Sequence, residues 1–317
     1  MAEFLTLVEA AKLVQNPLQK GVIEIFPRTS PVLEKLPLMS IAGQALVYNQ
    51  EDTLPGIGFR AINVSYTPDV GVVNPVTERL MVLGGISQVD RALVKMQGTV
   101  NSIRAVHDAM KAKAAALEFT RAFFTGDSGE DPTEFDGLRT RLTGDQVVNY
   151  TGSDFLANLD KTIDRVQGTP DMLFMNKTIR RYLNQCVRDA GQATEVVSDS
   201  FGRQQTAYAG IPIGVIEDGP DGDPILGFDE GLINYTSIYA VRFGLGEFVC
   251  GIQSGSMDVE DLGLVNGVFY STLVEWVVGL AVFHPKSAAR LRYVQDPYEA
   301  QVATTTTTAT ITTSTTV

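Results

Sequence analysis

Residues 124–138 read FTGDSGEDPTEFDGL, packing three glycines, one proline and five acids into fifteen residues at the end of a long helix-compatible run. A metal loop, an active-site loop and the acidic turn that ends a helix are the competing readings. An EF-hand needs oxygen ligands at alternate positions, glycine at position 6 and glutamate at position 12. Counted from Asp127, those positions hold Pro132 and Leu138, and position 3 holds Gly129. DGPDGDPILGFD (218–229) fails in the same way, with Asp223 where the glycine should stand. Both stretches read as solvated turns.

Upstream, residues 99–125 predict a helix. Val100, Ile103, Val106, Met110, Ala114, Leu117, Arg121 and Phe124 recur every three or four positions, an apolar stripe broken once at Arg121. Thr99 is the expected N-cap and Gly126 the stop. At ~1.5 Å per residue such a helix is a rod of roughly 40 Å, a spine more than a core helix. Residues 46–85 alternate as strands, with Ile62, Val64 and Tyr66 on one face and a return strand from Val76 to Leu83. A two-stranded excursion of that length needs a partner surface. Residues 1–45 form an arm: an amphipathic helix (Phe4, Leu7, Val8, Ala11, Val14), then apolar segments kept extended by Pro17, Pro27, Pro31 and Pro37. Such an arm has little core of its own.

Downstream, LFMNKTIRRYLNQ (173–185) reads as a strand end, an Asn176 cap and a helix, and YAGIPIGVIED and SIYAVRFG read as short strands. VFYSTLVEWVVGLAVFHPKSAARLRYV (268–294) gives a long strand and a turn at His284-Pro285, with Trp276 in the core. The tail ATTTTTATITTSTTV is low-complexity threonine, expected to gain order only against another chain.

The chain has 317 residues, 44% hydrophobic and 20% charged, the composition of a globular protein. Its net charge of −12 is uneven: residues 189–261 carry thirteen acids against Arg203 and Arg242. No basic patch offers a counterion-release footprint, so direct nucleic-acid binding is not expected. Two cysteines exclude a disulfide scaffold, and no apolar run approaches a membrane span. The N-terminus lacks a secretory signal, which leaves the four sequons as chance and places synthesis in the cytoplasm. Gly56-x-Gly58-x-x-Ala61 follows a proline and precedes no helix, so the phosphate-cradling geometry is missing. His107, His284, Cys186 and Cys250 are expected to be buried structural groups, and no GxSxG elbow accompanies them. No catalytic residue, metal site or cofactor is assigned.

Together the segments resemble the major capsid protein of tailed bacteriophages, the Hong Kong 97 fold. AFFTGDSGEDPTEFDGL resembles that family's spine-helix exit, LFMNKTIRRYL its Asn-capped apical helix, YAGIPIGVIED its Gly-x-Pro strand, and VVGLAVFHPKSAARL its closing strand and His-Pro turn. The resemblance implies an α+β fold with an N-terminal arm (1–45), an extended loop (46–85), a peripheral domain (86–148 and 264–295), an axial domain (149–263) and a tail (296–317). It implies a non-enzymatic subunit that self-assembles through hexamers and pentamers into an icosahedral shell around double-stranded DNA. A separate scaffolding protein and a portal would be its partners, with decoration proteins left open. Expected inter-subunit contacts are Phe59, Arg60, Ile62, Val64, Tyr66, Arg79, Arg203, Arg242 and Thr312. No lysine lies between Lys35 and Lys95, so the covalent crosslink some relatives draw from the extended loop is not expected. An encapsulin-like nanocompartment and, in another class, a hydrolase using Cys186 or Cys250 are the alternatives.

Overall fold

The computed structural model describes residues 30–96, 100–191, 193–198, 202, 204–231 and 234–298. The arm helix over Phe4–Val14, the Thr99 cap, Arg203 and the tail with Thr312 lie outside the described residues.

In chain order the elements begin with α1 (Pro31–Lys35), β1 (Leu38–Ser40), β2 (Ala45–Thr53), β3 (Val72–Arg79), β4 (Met81–Asp90), α2 (Arg91–Met96) and α3 (Val100–Thr125). Then come α4 (Leu138–Arg141), β5 (Val147–Asn149), α5 (Phe155–Asp164), β6 (Met172–Asn176), α6 (Lys177–Asp189), β7 (Glu195–Ser198), β8 (Gln204–Tyr208) and β9 (Ile211–Ile216). The chain closes through β10 (Tyr235–Val241), β11 (Val249–Gln253), β12 (Asp258–Val265), β13 (Phe269–Val282) and β14 (Ala288–Gln295).

The fourteen-residue β13 organises one sheet. Along one edge it pairs antiparallel with β11 and β12 in series, and along the other with β4, while β1 adds parallel to β11. At His284 the chain turns through Pro285–Ser287 into β14, which belongs to a seven-stranded sheet ordered β5-β14-β10-β6-β9-β8-β7. The His284 Nδ1 accepts the Lys286 N–H at 3.0 Å, so the His-Pro pair is a capped turn. One apolar core spans both sheets. Phe119 on α3 stacks on Trp276 of β13 at 5.2 Å, while Phe124 at the helix end meets Phe174 of β6 at 5.3 Å and Tyr239 of β10 at 5.2 Å. A second core lies between the seven-stranded sheet and α5 and α6, around Leu159, Ile179, Leu183 and Ile238.

Four sequence expectations are corrected. Pro31 does not keep its segment extended but opens α1, because a proline's fixed φ and missing N–H suit a first helical turn. Val32, Leu33 and Leu36 from this segment are fully buried in the chain's own core, and Thr120 of α3 donates to the Ser30 hydroxyl at 2.6 Å. Ile62, Val64 and Tyr66 occupy no strand; β2 and β3 stop at Thr53 and Val72. The return strand from Val76 is interrupted at Leu80, where β3 leaves the hairpin and β4 enters the main sheet.

The spine is present as a 26-residue helix, and Phe124 of the expected stripe is fully buried, but over the first turns described the inward face is a different one. Asp108, Ala112, Ala116, Phe119 and Phe123 are buried, whereas Val106 and Met110 are more than half exposed. The helix lies against β4 and β13. Ala112 and Ala116 let this part of the axis approach the sheet closely, and Val106 and Met110 face out. His107 shares the exposed side, so it is not the buried histidine expected.

Candidate assembly surfaces

The acidic stretch that ends α3 folds back on itself. Gly137 donates to the Gly126 carbonyl at 2.8 Å, and a Cβ built on Gly137 would stand 2.5 Å from the Ala122 carbonyl oxygen. Both glycines are there because two backbone segments touch. Three of the acids accept from the stretch's own backbone. Asp127 accepts the Gly129 N–H at 2.8 Å, Asp131 the Thr133 N–H at 2.9 Å and Asp136 the Ser128 N–H at 2.8 Å. Arg121, the break in the apolar pattern, bridges Glu118 and Glu134 and ties helix to loop. Phe135 and Leu138 are buried behind it.

This turn also positions Arg141. Its Nε donates to the Asp136 carbonyl at 2.6 Å and its Nη2 to Glu78 Oε2 at 2.7 Å, with Nη1 on the other Glu78 oxygen. Glu78 sits at the root of the β2–β3 hairpin and is only 7% exposed. A buried carboxylate of this kind requires its paired cation. Tyr48 completes the root, donating to the Val282 carbonyl at 2.8 Å with a Glu78 oxygen 3.3 Å away and its ring 4.5 Å from Phe283. Burial, and after it the Glu78 charge, push the Tyr48 hydroxyl well above its ordinary pKa, so it remains a donor. Sequence pattern alone did not reveal this set, because Glu78 is 30 residues from Tyr48 and 63 from Arg141, and Val282 is 234 from Tyr48.

Beyond the root, residues 54–71 extend without regular structure and stitch only to themselves. Gly56 N–H donates to Asp69 at 2.7 Å, and Arg60 donates to the Val64 carbonyl at 3.2 Å while its guanidinium lies 5.2 Å from the Tyr66 ring centre. Phe59 and Ile57 are essentially wholly exposed, and Ile62 is 90% exposed. Val64 and Tyr66 are exposed as well. Thus Phe59, Ile62, Val64 and Tyr66 come together at one tip, and Arg60 braces it from within. Arg79 lies exposed at the hairpin root, opposite Ala45.

Arg242 is placed elsewhere. It donates to the Gln167 carbonyl and lies 3.9 Å over the Phe248 ring, joining two loops of its own chain. Outward-facing apolar residues also mark β4 (Val82, Ile86), α2 (Leu93) and the β12–β13 turn (Leu264, Phe269). On α6, the run Lys177, Arg180, Arg181, Asn184 and Arg188 lines a groove of about 340 Å³. Helical spacing in KTIRRYLNQCVR could have shown it, since these positions fall on one face.

Neither thiol is activated. Burial pushes Cys186 up from its ordinary pKa and carries Cys250 to about 11, so both stay protonated near neutrality. Asn176, by contrast, caps α6 as its position implies, accepting the Ile179 N–H at 2.8 Å and donating to the Leu226 carbonyl at 3.0 Å.

Residues 15–154 match the family model described as major capsid protein GP7. No curated protein matches the chain in sequence. Among solved structures, the holo-SrpI encapsulin complex from Synechococcus elongatus PCC 7942 superposes with a TM-score of 0.64 at 16% identity, covering 94% of this chain and 98% of that one. The capsid of a native GTA particle gives 0.61 at 11% identity over 84% and 90%. A structure from Microbacterium phage Oxtober96 gives 0.57 at 13% identity over 84% and 91%. Residues 15–154 thus resemble the major capsid protein GP7 family, and the chain as a whole has the α+β fold of these encapsulin and capsid structures.

Proposed function

We propose that the chain is the major capsid protein of a tailed bacteriophage, assembling through hexamers and pentamers into an icosahedral head around double-stranded DNA. The observation that carries this is the hairpin tip: Phe59, Ile57 and Ile62 are all at least 90% exposed on one segment without regular structure. An apolar surface of this kind is a contact surface. In this reading residues 46–85 are the extended loop laid on a neighbouring subunit. Residues 86–148 with 264–295 are the peripheral domain, 149–263 the axial domain around five- and six-fold centres, 1–45 an arm and 296–317 a tail. Phe59, Ile62, Val64 and Tyr66 supply the contact, with Arg60 bracing the tip and Arg79 flanking its base. Arg203 and Thr312 belong to the proposed contacts as well. Arg242 contributes as a brace of the axial domain.

The role is structural, and the DNA is enclosed without sequence readout. A scaffolding protein and a portal act beside it, in host cytoplasm before the virion is complete. Electron microscopy of the purified protein tests the reading: closed shells or their hexameric and pentameric pieces are expected, and a monodisperse monomer at every concentration would overturn it. An encapsulin-like shell is the second reading, drawn from the superposition over 94% of the chain. A co-purifying enzyme in place of nucleic acid inside the particles would favour it.

A further inference from the structure

The chain is acidic, yet one helix carries its charge in the opposite sense. Along α6, Lys177, Arg180, Arg181 and Arg188 share a face with no acid among them, and with Thr178 and Asn184 they line the groove of about 340 Å³. Lys177 reaches Glu217 at 2.8 Å. Among the described residues Arg180, Arg181 and Arg188 make no ion pair, and the Arg180 Nε is buried without a hydrogen-bond partner. Arg181 lies 4.0 Å over the Tyr298 ring, which holds its guanidinium in place at the groove.

The complementary shape lies just past Glu217. Residues 218–224 form a tight turn, closed by the Asp218–Pro224 bridge and by the Gly219 N–H donating to the Asp223 carbonyl at 2.7 Å. Gly222, at φ +89°, makes the reversal. Asp218, Asp221 and Asp223 are exposed on this knob, and among the described residues none of their carboxylates makes an ion pair. No knob residue lines the groove, so the chain does not fill its own site. The Lys177–Glu217 pair at the border is an ion pair of the same charge type within one chain.

We propose that the Asp218–Asp223 knob of one copy docks into the Lys177–Arg188 groove of a second copy, an ionic contact between axial domains. This rests on the capsid reading above and names a contact within it. A second copy is the occupant the charges favour over nucleic acid, because every copy carrying the groove also carries the matching acidic knob. Such a contact converts the acidic surplus of residues 189–261 from a repulsion around a symmetry axis into an attraction.

The test uses the full-length chain, with oligomers followed by sedimentation velocity and microscopy, and folding checked by circular dichroism. Arg180→Glu with Arg188→Glu, and separately Asp221→Lys with Asp223→Lys, should each raise the concentration needed for assembly at least about tenfold, which is ~1.4 kcal/mol per contact. Joining the four substitutions in one chain should restore assembly. The contact is overturned if either charge-reversed pair assembles like wild type, or if the fourfold variant, folded, stays as defective as its parents. Normal assembly of the Arg180→Glu, Arg188→Glu chain with lost co-purifying nucleic acid would overturn it in favour of a phosphate site. A wild-type chain that never assembles would instead remove the capsid reading itself.

Discussion

Gly137 and Arg141 show how single positions hold this protein's shape. Gly137 has an ordinary negative φ of −83°, so its need is for space and not for backbone freedom. Gly137→Ala pushes a methyl against the Ala122 carbonyl and should cost about 1–3 kcal/mol in urea unfolding, the usual penalty for overpacking. Arg141→Met leaves Glu78 buried without its cation and should cost about 3–5 kcal/mol. Adding Glu78→Gln should recover much of that loss, whereas an unchanged deficit in the double variant would show that the guanidinium acts through its bonds to the Asp136 carbonyl and, at 3.3 Å, the Leu280 carbonyl. Asp136 makes stability pH-dependent. Burial would raise its pKa, but the hydrogen bonds from Ser128 and the nearby Arg141 charge leave it below the ordinary value. The folded chain therefore binds this proton less readily than the unfolded one. The contribution is complete above about pH 4 and is lost as pH falls through the folded pKa. The stability gap between wild type and Asp136→Asn should accordingly shrink toward zero on acidification.

At the level of elements, α3 separates what pattern reveals from what packing decides. Its extent from the glycine-bounded apolar run was legible, as were the Asn176 cap of α6 and the long β13 with its His-Pro turn. Its orientation was not. The stripe through Val106 and Met110 has the right period, but Ala112 and Ala116 form an equally periodic face two residues away, and contact with β4 and β13 selects the smaller set. Phe119→Ala, which empties the space between Trp276 and Phe135, should destabilise by about 3–5 kcal/mol in chemical denaturation. Met110→Glu should leave the unfolding midpoint within about 0.5 kcal/mol of wild type, as for other exposed positions. A large loss there would mean that the outward face is packed after all. The strand expected over Ile62–Tyr66 failed for a related reason: alternation forms a strand only where a partner strand supplies hydrogen bonds, and residues 54–71 have none.

The molecule as a whole is two sheets sharing one aromatic seam, with a hairpin that belongs to neither. The root contacts through Glu78, Arg141 and Tyr48 were illegible because they join chain segments distant in sequence, and no local period records them. The apolar tip was visible in the letters themselves, since a hairpin of that length had no partner within reach. Phe59→Ser with Ile62→Ser should therefore leave circular dichroism and the melting temperature unchanged while abolishing assembly seen by microscopy. Retained assembly would mean that the tip makes no contact. The same arrangement has a mechanical consequence. A beam fixed at one end by a buried ion pair and unsupported beyond Thr53 is a cantilever. A load applied at Phe59 must arrive as torque on the Glu78–Arg141 pair, and from there on the end of the spine helix. If the tip is seated on a neighbour, each subunit carries a lever ending in its own interior, and the stiffness of a shell would be set as much by that hinge as by the surfaces that touch.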